Sequence, residues 1–186
     1  MDFTSRNLLR LGMNTTHSMA NSMKPAFVSR HPFEAERIAA AAVYCSDGRW
    51  GEQMDEFLHV ALELPRYDRV AIPGGAACLA GHVNGFHEKT SLERQLAFLI
   101  REHGLKRIVL IAHEGCAYYK DVWTGGQSVI AQQAEDLKRA AEQIRLWNSD
   151  VEVTAYFARK LDGRVGFERW PSAKFAEQRF SQTGLS

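Results

Sequence analysis

The segment around residue 113 carries two side chains that bind metal ions, in the order Ala112-His113-Glu114-Gly115-Cys116. The imidazole and the thiol are both good ligands for a borderline-soft metal, and a tight turn can direct both at one point. Two ligands do not make a metal site, so the chain must supply a third. Cys45, which lies far upstream, is the candidate.

The ligand types of Cys45, His113 and Cys116 indicate which kind of metal site they would form. In a tetrahedral zinc centre, two thiolates and one imidazole leave the fourth position open, which is typical of catalytic zinc. A water bound there loses a proton readily, and the resulting hydroxide is a nucleophile near neutral pH. Because two thiolates donate more charge than imidazoles, they make that water less acidic than three histidines would. The site therefore benefits from a neighbour that orients the hydroxide.

Asp47 and Arg49 fit that need, because they flank Gly48 shortly after Cys45. A guanidinium beside a carboxylate favours the ionised carboxylate, and the carboxylate can then accept a hydrogen bond from the zinc-bound hydroxide. Alternatively, Asp47 can bind the metal itself and close the fourth position. The sequence leaves both arrangements open.

The elements that must position these residues alternate between strands and helices. Strands are predicted at 41–44, 67–72, 107–112 and 151–157, with a hairpin return at 165–167. Helices are predicted at 53–62, 92–102 and 128–147. This order predicts an α/β fold with a mainly parallel β-sheet flanked by helices. Ligands bind beyond the carboxyl ends of the strands in such sheets, and Cys45 and His113 both follow predicted strands.

Finer features are predicted for two of the helices. Ser91 is the expected N-cap of the middle helix, and Gly104 is the expected residue that ends it. The helix at 128–147 places one set of apolar side chains at helical spacing toward the core: Ile130, Ala134, Leu137, Ala141 and Ile144.

Composition narrows the class of protein. The 186 residues are 45% hydrophobic and 24% charged, with a net charge of +1, so no strong field favours nucleic acid or an anionic membrane. No apolar run approaches the roughly 20 residues of a membrane span, and no secretory signal is recognisable. The chain has 3 cysteines, an odd number, which indicates reduced thiols and a cytoplasmic location. We expect an N-terminal arm at 1–30 and a single α/β zinc-binding domain at 31–186.

Together the two motifs resemble those of the β-class carbonic anhydrases, where Cys-x-Asp-x-Arg is followed much later by His-x-x-Cys. The resemblance covers roughly residues 38–167, with its specific part in the two motifs. It implies that Cys45, His113 and Cys116 hold Zn²⁺ and that Asp47 and Arg49 are catalytic. It further implies a homodimer or a multiple of dimers, and a lyase that reversibly hydrates carbon dioxide to bicarbonate by zinc-bound hydroxide.

The chain departs from the family pattern around the expected pocket. Family members usually carry an Arg-Asn-Ala-Gly-Asn-like stretch after the second strand, whereas this chain has Ile72-Pro73-Gly74-Gly75-Ala76-Ala77. Ala117 replaces a usual glycine, and Glu114 lies where a small polar residue is common. A second interpretation therefore stays open: a carbonic-anhydrase-like zinc protein that is non-catalytic, or that hydrolyses another small substrate such as carbon disulfide or carbonyl sulfide.

Other chemistries are disfavoured by the same residues. A phosphatase loop needs Cys-x5-Arg, and the spacing from Cys45 to Arg49 is too short. A cysteine hydrolase built on Cys116 needs a base, yet no histidine follows His113.

Several other reactive residues have plainer interpretations. Cys78 has no nearby ligand partner and is expected to be a small buried hydrophobe. The histidines at 82 and 87 are expected on a loop, as surface groups or as neighbours of the site. Tyr118 and Tyr119 are expected to be packing or interface residues.

Overall fold

The structure is a computed structural model that describes residues 24–82, 85–122, 125–126 and 128–171. The contacts between residues group the chain into two compact units that meet between Glu36 and Arg37 in the sequence. The two units are described separately. Residues 24–36 form neither helix nor strand. Most of the predicted N-terminal arm, and the chain beyond residue 171, lie outside the described residues.

A single five-stranded sheet organises the described chain from Arg37 onward. Its strands are β1 (Ala40–Cys45), β2 (Asp68–Ile72), β3 (Arg107–His113), β4 (Glu152–Leu161) and β5 (Arg164–Trp170). Their order in the sheet is β2-β1-β3-β4-β5. The first four strands are parallel, and β5 returns antiparallel to β4 as a hairpin. The predicted α/β fold with a mainly parallel sheet is confirmed.

The helical elements connect these strands in the expected places. They are α1 (Gly51–Glu56) with a π-helical continuation (Phe57–Ala61), a 3₁₀ helix (Gly75–Ala80), α2 (Phe86–His103), α3 (Tyr119–Val122) and α4 (Val129–Trp147). Among the described helices, none combines the length and the apolar character needed to cross a membrane.

Alternation along β1 explains why helices cover both faces of the sheet. Ala41 and Val43 belong to the apolar layer that includes Leu96 of α2 and Leu137 of α4. The intervening residues of β1 face a second layer, which includes Met54 of α1. Side chains point to opposite faces at each step along a strand, and both faces of a central parallel strand are buried. The apolar run of β1 is therefore a core strand between two helical layers.

Some local predictions are confirmed and others are wrong. Gly104 ends α2 with a φ of 68°, as expected for a residue in the left-handed region. The prediction that Ser91 is the N-cap of this helix is wrong. Helix α2 begins earlier, at Phe86, and its N-cap is Gly85, a residue type that is acceptable at this position. Ser91 therefore lies inside the helix, where its hydroxyl accepts a hydrogen bond from Gln95 at 3.1 Å.

The start of α4 and the position of His87 also differ from expectation. Ile130 is 37% exposed rather than buried, because it lies in the first turn, at the solvent end of α4. His87 lies in α2 and not in a loop. Ser128 caps α4, and its hydroxyl accepts from the Ala131 N–H at 3.2 Å.

A matched pair of substitutions on α4 tests this packing. Leu137 is 1% exposed and Leu146 is 81% exposed. We expect Leu137→Ala to lower the free energy of unfolding by about 2–5 kcal/mol, since it leaves a cavity in the core. Leu146→Ala removes the same atoms from a solvated side chain and should change it by about 0.5 kcal/mol at most. Urea unfolding measures both, and equal losses would contradict the packing of α4.

Candidate metal centre

The carboxyl ends of β1 and β3 bring the three predicted ligands together. Cys45 is the last residue of β1 and His113 is the last residue of β3. The register pairs Val43 with Leu110, so the two strand ends are nearly level. After β3 the chain turns through Gly115, whose φ is 69°, a conformation that glycine adopts without strain. This turn returns Cys116 toward the other two ligands.

The spacing of the ligand atoms fits zinc. The ligand atoms of Cys45, His113 and Cys116 all lie within 4.8 Å of one another, and the two Sγ atoms are 3.8 Å apart. Tetrahedral zinc with Zn–S bonds of about 2.3 Å places two thiolates about 3.8 Å apart. The Nε2 atom of His113 is buried and has no hydrogen-bond partner among the described residues. A metal ion held between the three atoms would satisfy that nitrogen.

Hydrogen bonding fixes the orientation of the His113 ring. Its Nδ1 donates to the backbone carbonyl of Glu114 at 2.9 Å, so Nε2 is the ring nitrogen that remains for a metal ion. Histidines that bind metals usually donate their other ring N–H in this way. The ring also packs against the buried Trp50, with ring centroids 4.7 Å apart. The His113 ring is therefore fixed in place beside the two sulfurs.

The two thiols have opposite protonation tendencies. A hydrogen bond from the Cys116 thiol lowers the pKa of Cys45 well below its usual value although burial opposes the shift, and the backbone N–H groups of Asp47 and Gly74 act in the same direction as Cys116. The hydrogen bond to Cys45 and burial raise the pKa of Cys116. Two neighbouring buried thiolates repel each other. A divalent cation removes that repulsion, so the pair is suited to holding one.

The predicted Asp47–Arg49 pair is present beside Cys45. The Arg49 Nε donates to Oδ1 of Asp47 at 2.9 Å, and Nη2 donates to Oδ2 at 2.5 Å. These hydrogen bonds lower the pKa of Asp47 to about 2, so the carboxylate is ionised at neutral pH. Within the part of the chain that the structure describes, the group that could share a metal ion does not include Asp47. The carboxylate is thus paired with Arg49, whose side chain is 75% exposed.

Glu114 contacts the backbone of β4 through both its side chain and its main chain. Its Oε2 accepts a hydrogen bond from the backbone N–H of Lys160 at 3.1 Å. Its own N–H donates to the carbonyl of Ala158 at 2.8 Å. Both contacts tie the turn after β3 to β4. The residue that departs from the family pattern therefore holds the turn that carries the ligands.

The glycine pair that follows β2 is required by close packing. A Cβ on Gly74, whose φ is 81°, would lie 2.6 Å from the ring of Tyr118. A Cβ on Gly75, whose φ is 54°, would lie 2.6 Å from the Tyr44 carbonyl carbon and 2.7 Å from the Cys45 nitrogen. The loop consequently packs directly on the end of β1.

The sequence analysis missed a buried polar network beside the ligands. Tyr119 packs in one small cluster with Cys45 and Cys116, as a packing residue should, but its hydroxyl also donates to Oδ2 of Asp136 at 2.6 Å. The His82 Nε2 lies 2.7 Å from the same oxygen. The sequence did contain one indication of this network: Asp136 occupies a position of α4 whose helical spacing places it on the buried face. Cys78 is buried as predicted and donates to the Pro73 carbonyl at 3.2 Å.

Replacement of Gly75 tests the contact between the loop and β1. We expect Gly75→Ala to lower the free energy of unfolding by about 1–3 kcal/mol, because the residue is in the left-handed region and meets backbone atoms. It should also displace Cys45 and weaken the binding of a metal ion by the three clustered residues. Gly51→Ala is the control, since a Cβ there meets nothing within 4 Å. Chemical unfolding and bound-metal analysis measure both variants, and an unaffected Gly75→Ala would contradict the close contact.

A comparison with known families matches a span that contains both motifs. A family model described as "Putative carbonic anhydrase" matches residues 35–166, a span that contains Cys45, Asp47, Arg49, His113 and Cys116. No curated protein matches the sequence.

Solved structures with a similar course of the chain include three carbonic anhydrases. A β-carbonic anhydrase isoform from Trichomonas vaginalis is 16% identical with a TM-score of 0.46, and the match covers 75% of this chain and 87% of that one. The enzyme from Streptococcus mutans is 21% identical with a TM-score of 0.42, over 71% and 82% of the two chains. A tetrameric β-carbonic anhydrase from Sordaria macrospora is 13% identical with a TM-score of 0.42, over 74% and 82%. Because the family model spans well over half of the sequence, including both motifs, the chain belongs to the family of putative carbonic anhydrases.

Proposed function

We propose that the chain is a zinc-dependent lyase that catalyses the reversible hydration of carbon dioxide to bicarbonate. The observation that supports this proposal is the convergence of Cys45, His113 and Cys116 beside the ionised pair of Asp47 and Arg49. Three protein ligands leave one position for a small molecule. Zinc bound there supplies a Lewis acid that makes water nucleophilic near neutral pH.

Asp47 and Arg49 would orient the reacting water. An ionised carboxylate only accepts hydrogen bonds, so Asp47 can accept a hydrogen bond from a neighbouring water and direct the oxygen lone pair away from itself. Arg49 holds both carboxylate oxygens and keeps the group from turning. In the alternative arrangement, separation of this pair would free Asp47 to bind the metal and close the site.

The surroundings of the ligands suit an uncharged substrate. Trp50, Ala77 and Tyr119 are buried around the three ligands. An apolar wall accommodates carbon dioxide without removing a charge from water, whereas bicarbonate gains free energy by returning to solvent. The same wall therefore supports entry of the substrate and departure of the product.

One observation favours a second candidate substrate. The loop of residues 72–77 carries no polar side chain, and Gly74 is packed against the Tyr118 ring. Such a wall suits carbon disulfide or carbonyl sulfide, which are also linear and uncharged. Hydrolysis of these molecules, or zinc binding without catalysis, is the alternative function of the same site.

We further propose a cytoplasmic homodimer, or a multiple of dimers, with one α/β zinc-binding domain after the N-terminal arm. The three free cysteines are compatible with a reducing compartment. The resemblance to the β-class enzymes supports the assembly. Light scattering of the full chain measures its size, and a stable monomer would contradict this part of the proposal.

Metal content tests the site directly. Protein purified without chelator should contain about one zinc per chain, as three protein ligands with one open position require. Cys45→Ser removes one ligand and should abolish retention of zinc. Cys78→Ser is the matched control, because Cys78 is also a buried free cysteine but lies outside the ligand group. Zinc that is absent from the wild type, or retained fully by Cys45→Ser, would rule out the metal site.

Stopped-flow measurement of carbon dioxide hydration tests the reaction. The zinc-loaded wild type should be active, and Asp47→Ala should lower kcat/KM by about 10–100-fold while zinc content is unchanged. The control is Asp150→Ala, which removes an exposed aspartate that is outside the ligand group. A zinc-loaded wild type without hydration activity would refute the lyase proposal. Parallel assays with carbon disulfide and carbonyl sulfide then decide between another substrate and a non-catalytic zinc protein.

A further inference from the structure

The buried face of α4 carries a polar patch beside the ligands. Gln133 and Asp136 are each 1% exposed, and Gln132 is also buried. Farther along the same helix, the buried face is apolar, with Leu137, Ala141 and Ile144. Burial of an amide or a carboxylate is unfavourable unless hydrogen bonds replace those made with water. The contacts of these polar groups therefore indicate what the patch holds in place.

Two residues of the patch bind the two ends of the segment 113–119, here called the ligand turn. Gln133 donates from Nε2 to the backbone carbonyl of His113 at 2.7 Å. Asp136 accepts from the Tyr119 hydroxyl at 2.6 Å. Residues three apart share one face of a helix. One turn of α4 thus spans the segment that contains both His113 and Cys116.

Tyr119 transmits the contact with Asp136 to the ligands. Its backbone N–H is 3.4 Å from the Cys116 carbonyl oxygen, to which it donates. Its side chain is buried in the cluster that contains Cys45 and Cys116. A shift of Tyr119 would therefore move Cys116 or open space beside its sulfur.

Asp136 is itself held from two further sides. The His82 Nε2 lies 2.7 Å from its Oδ2, and Gln132 donates to Oδ1 at 2.7 Å. Both carboxylate oxygens are therefore engaged, by groups from the segment after the 3₁₀ helix, from α3 and from α4. A carboxylate fixed in this way provides a rigid attachment for Tyr119.

We propose that Gln133 and Asp136 are positioning residues of the metal centre, which set its zinc affinity by holding both ends of the ligand turn. The inference rests on the zinc site of the proposed function and adds residues that neither motif contains. When Gln133 and Asp136 hold the ligand turn, His113 and Cys116 are already in position before zinc binds. Without these two contacts, zinc binding must also order the turn, so the zinc affinity falls.

A purely structural role would give a different result. Loss of any buried hydrogen-bonded pair lowers the stability of the metal-free protein. The pair of Asp68 and His103, also 2.7 Å apart, provides the control, because Asp68 begins β2 at the end of the sheet opposite the ligands. Positioning requires that zinc affinity falls for the α4 variants and stays constant for the control.

The experiment measures zinc dissociation constants by competition with a chelator, and thermal unfolding of each protein without metal. Visible absorption of the cobalt-substituted proteins reports ligand geometry independently of activity. The variants conserve size and are Asp136→Asn, Gln133→Met and Tyr119→Phe, with Asp68→Asn as the control. We expect Asp136→Asn and Gln133→Met to weaken zinc binding by about 10–100-fold. Tyr119→Phe should act in the same direction and alter the cobalt spectrum, and Asp68→Asn should leave affinity and spectrum unchanged.

Each outcome decides the question. Affinities of all α4 variants within twofold of the wild type, or a loss equal to that of Asp68→Asn, would overturn the inference and leave the proposed function standing. A wild type that binds no zinc would overturn the proposed function itself. If Asp136→Asn does not fold, Gln133→Met and Tyr119→Phe decide alone, because both leave the carboxylate in place.

Discussion

The parallel pairing of β1 with β3 is the constraint on which the site depends. Cys45 continues the face of Ala41 and Val43, which is covered by α2 and α4. His113 continues the opposite face and meets Trp50 there. The two ligands approach from opposite faces, so their common point lies at the edge of the sheet. A shift of one residue in register would turn Cys45 to the other face and separate it from Cys116.

Buried polar groups near the carboxyl ends of β1 and β3 need hydrogen-bond partners, because burial removes their contacts with water. The His113 Nδ1, the Glu114 carboxylate and the Asp136 carboxylate all have partners. Other buried polar atoms, such as the Thr154 hydroxyl, also lack a partner among the described residues, so a missing partner alone does not define a site. His113 differs because one of its ring nitrogens and two cysteine sulfurs all lie within 4.8 Å of one another. A cation bound between the two sulfurs would be a partner for the buried Nε2 of His113.

The sequence predicted the cluster of Cys45, His113 and Cys116 because the chemistry of these side chains is local and distinctive. Two short motifs, each following a strand, were sufficient to place Cys45, His113 and Cys116 together once parallel strands were inferred. The strand order and the hydrogen bond between Glu114 and Lys160 could not be predicted in this way, because both depend on contacts between segments that are far apart in the sequence. The polar face of α4 was missed for a related reason. Helical periodicity identifies a buried face by its apolar residues, so Asp136 was invisible until its partners were known.

Under the proposed function, metal binding and substrate choice would depend on different parts of the molecule. The ligands are set by the ends of two strands and by the turn that α4 holds. Ala77 and Tyr118 pack beside the ligands without belonging to the ligand group, so substitutions there can change the surroundings of the ligands while the ligands stay in place. An apolar wall distinguishes small uncharged molecules weakly, by about 10–200-fold for a difference of one methylene. Carbon dioxide, carbonyl sulfide and carbon disulfide are all linear and uncharged. If the proposed reaction holds, their relative rates would depend more on how readily the carbon accepts a nucleophile than on binding, and the surroundings of the ligands would act mainly by admitting the molecule and excluding bulk water.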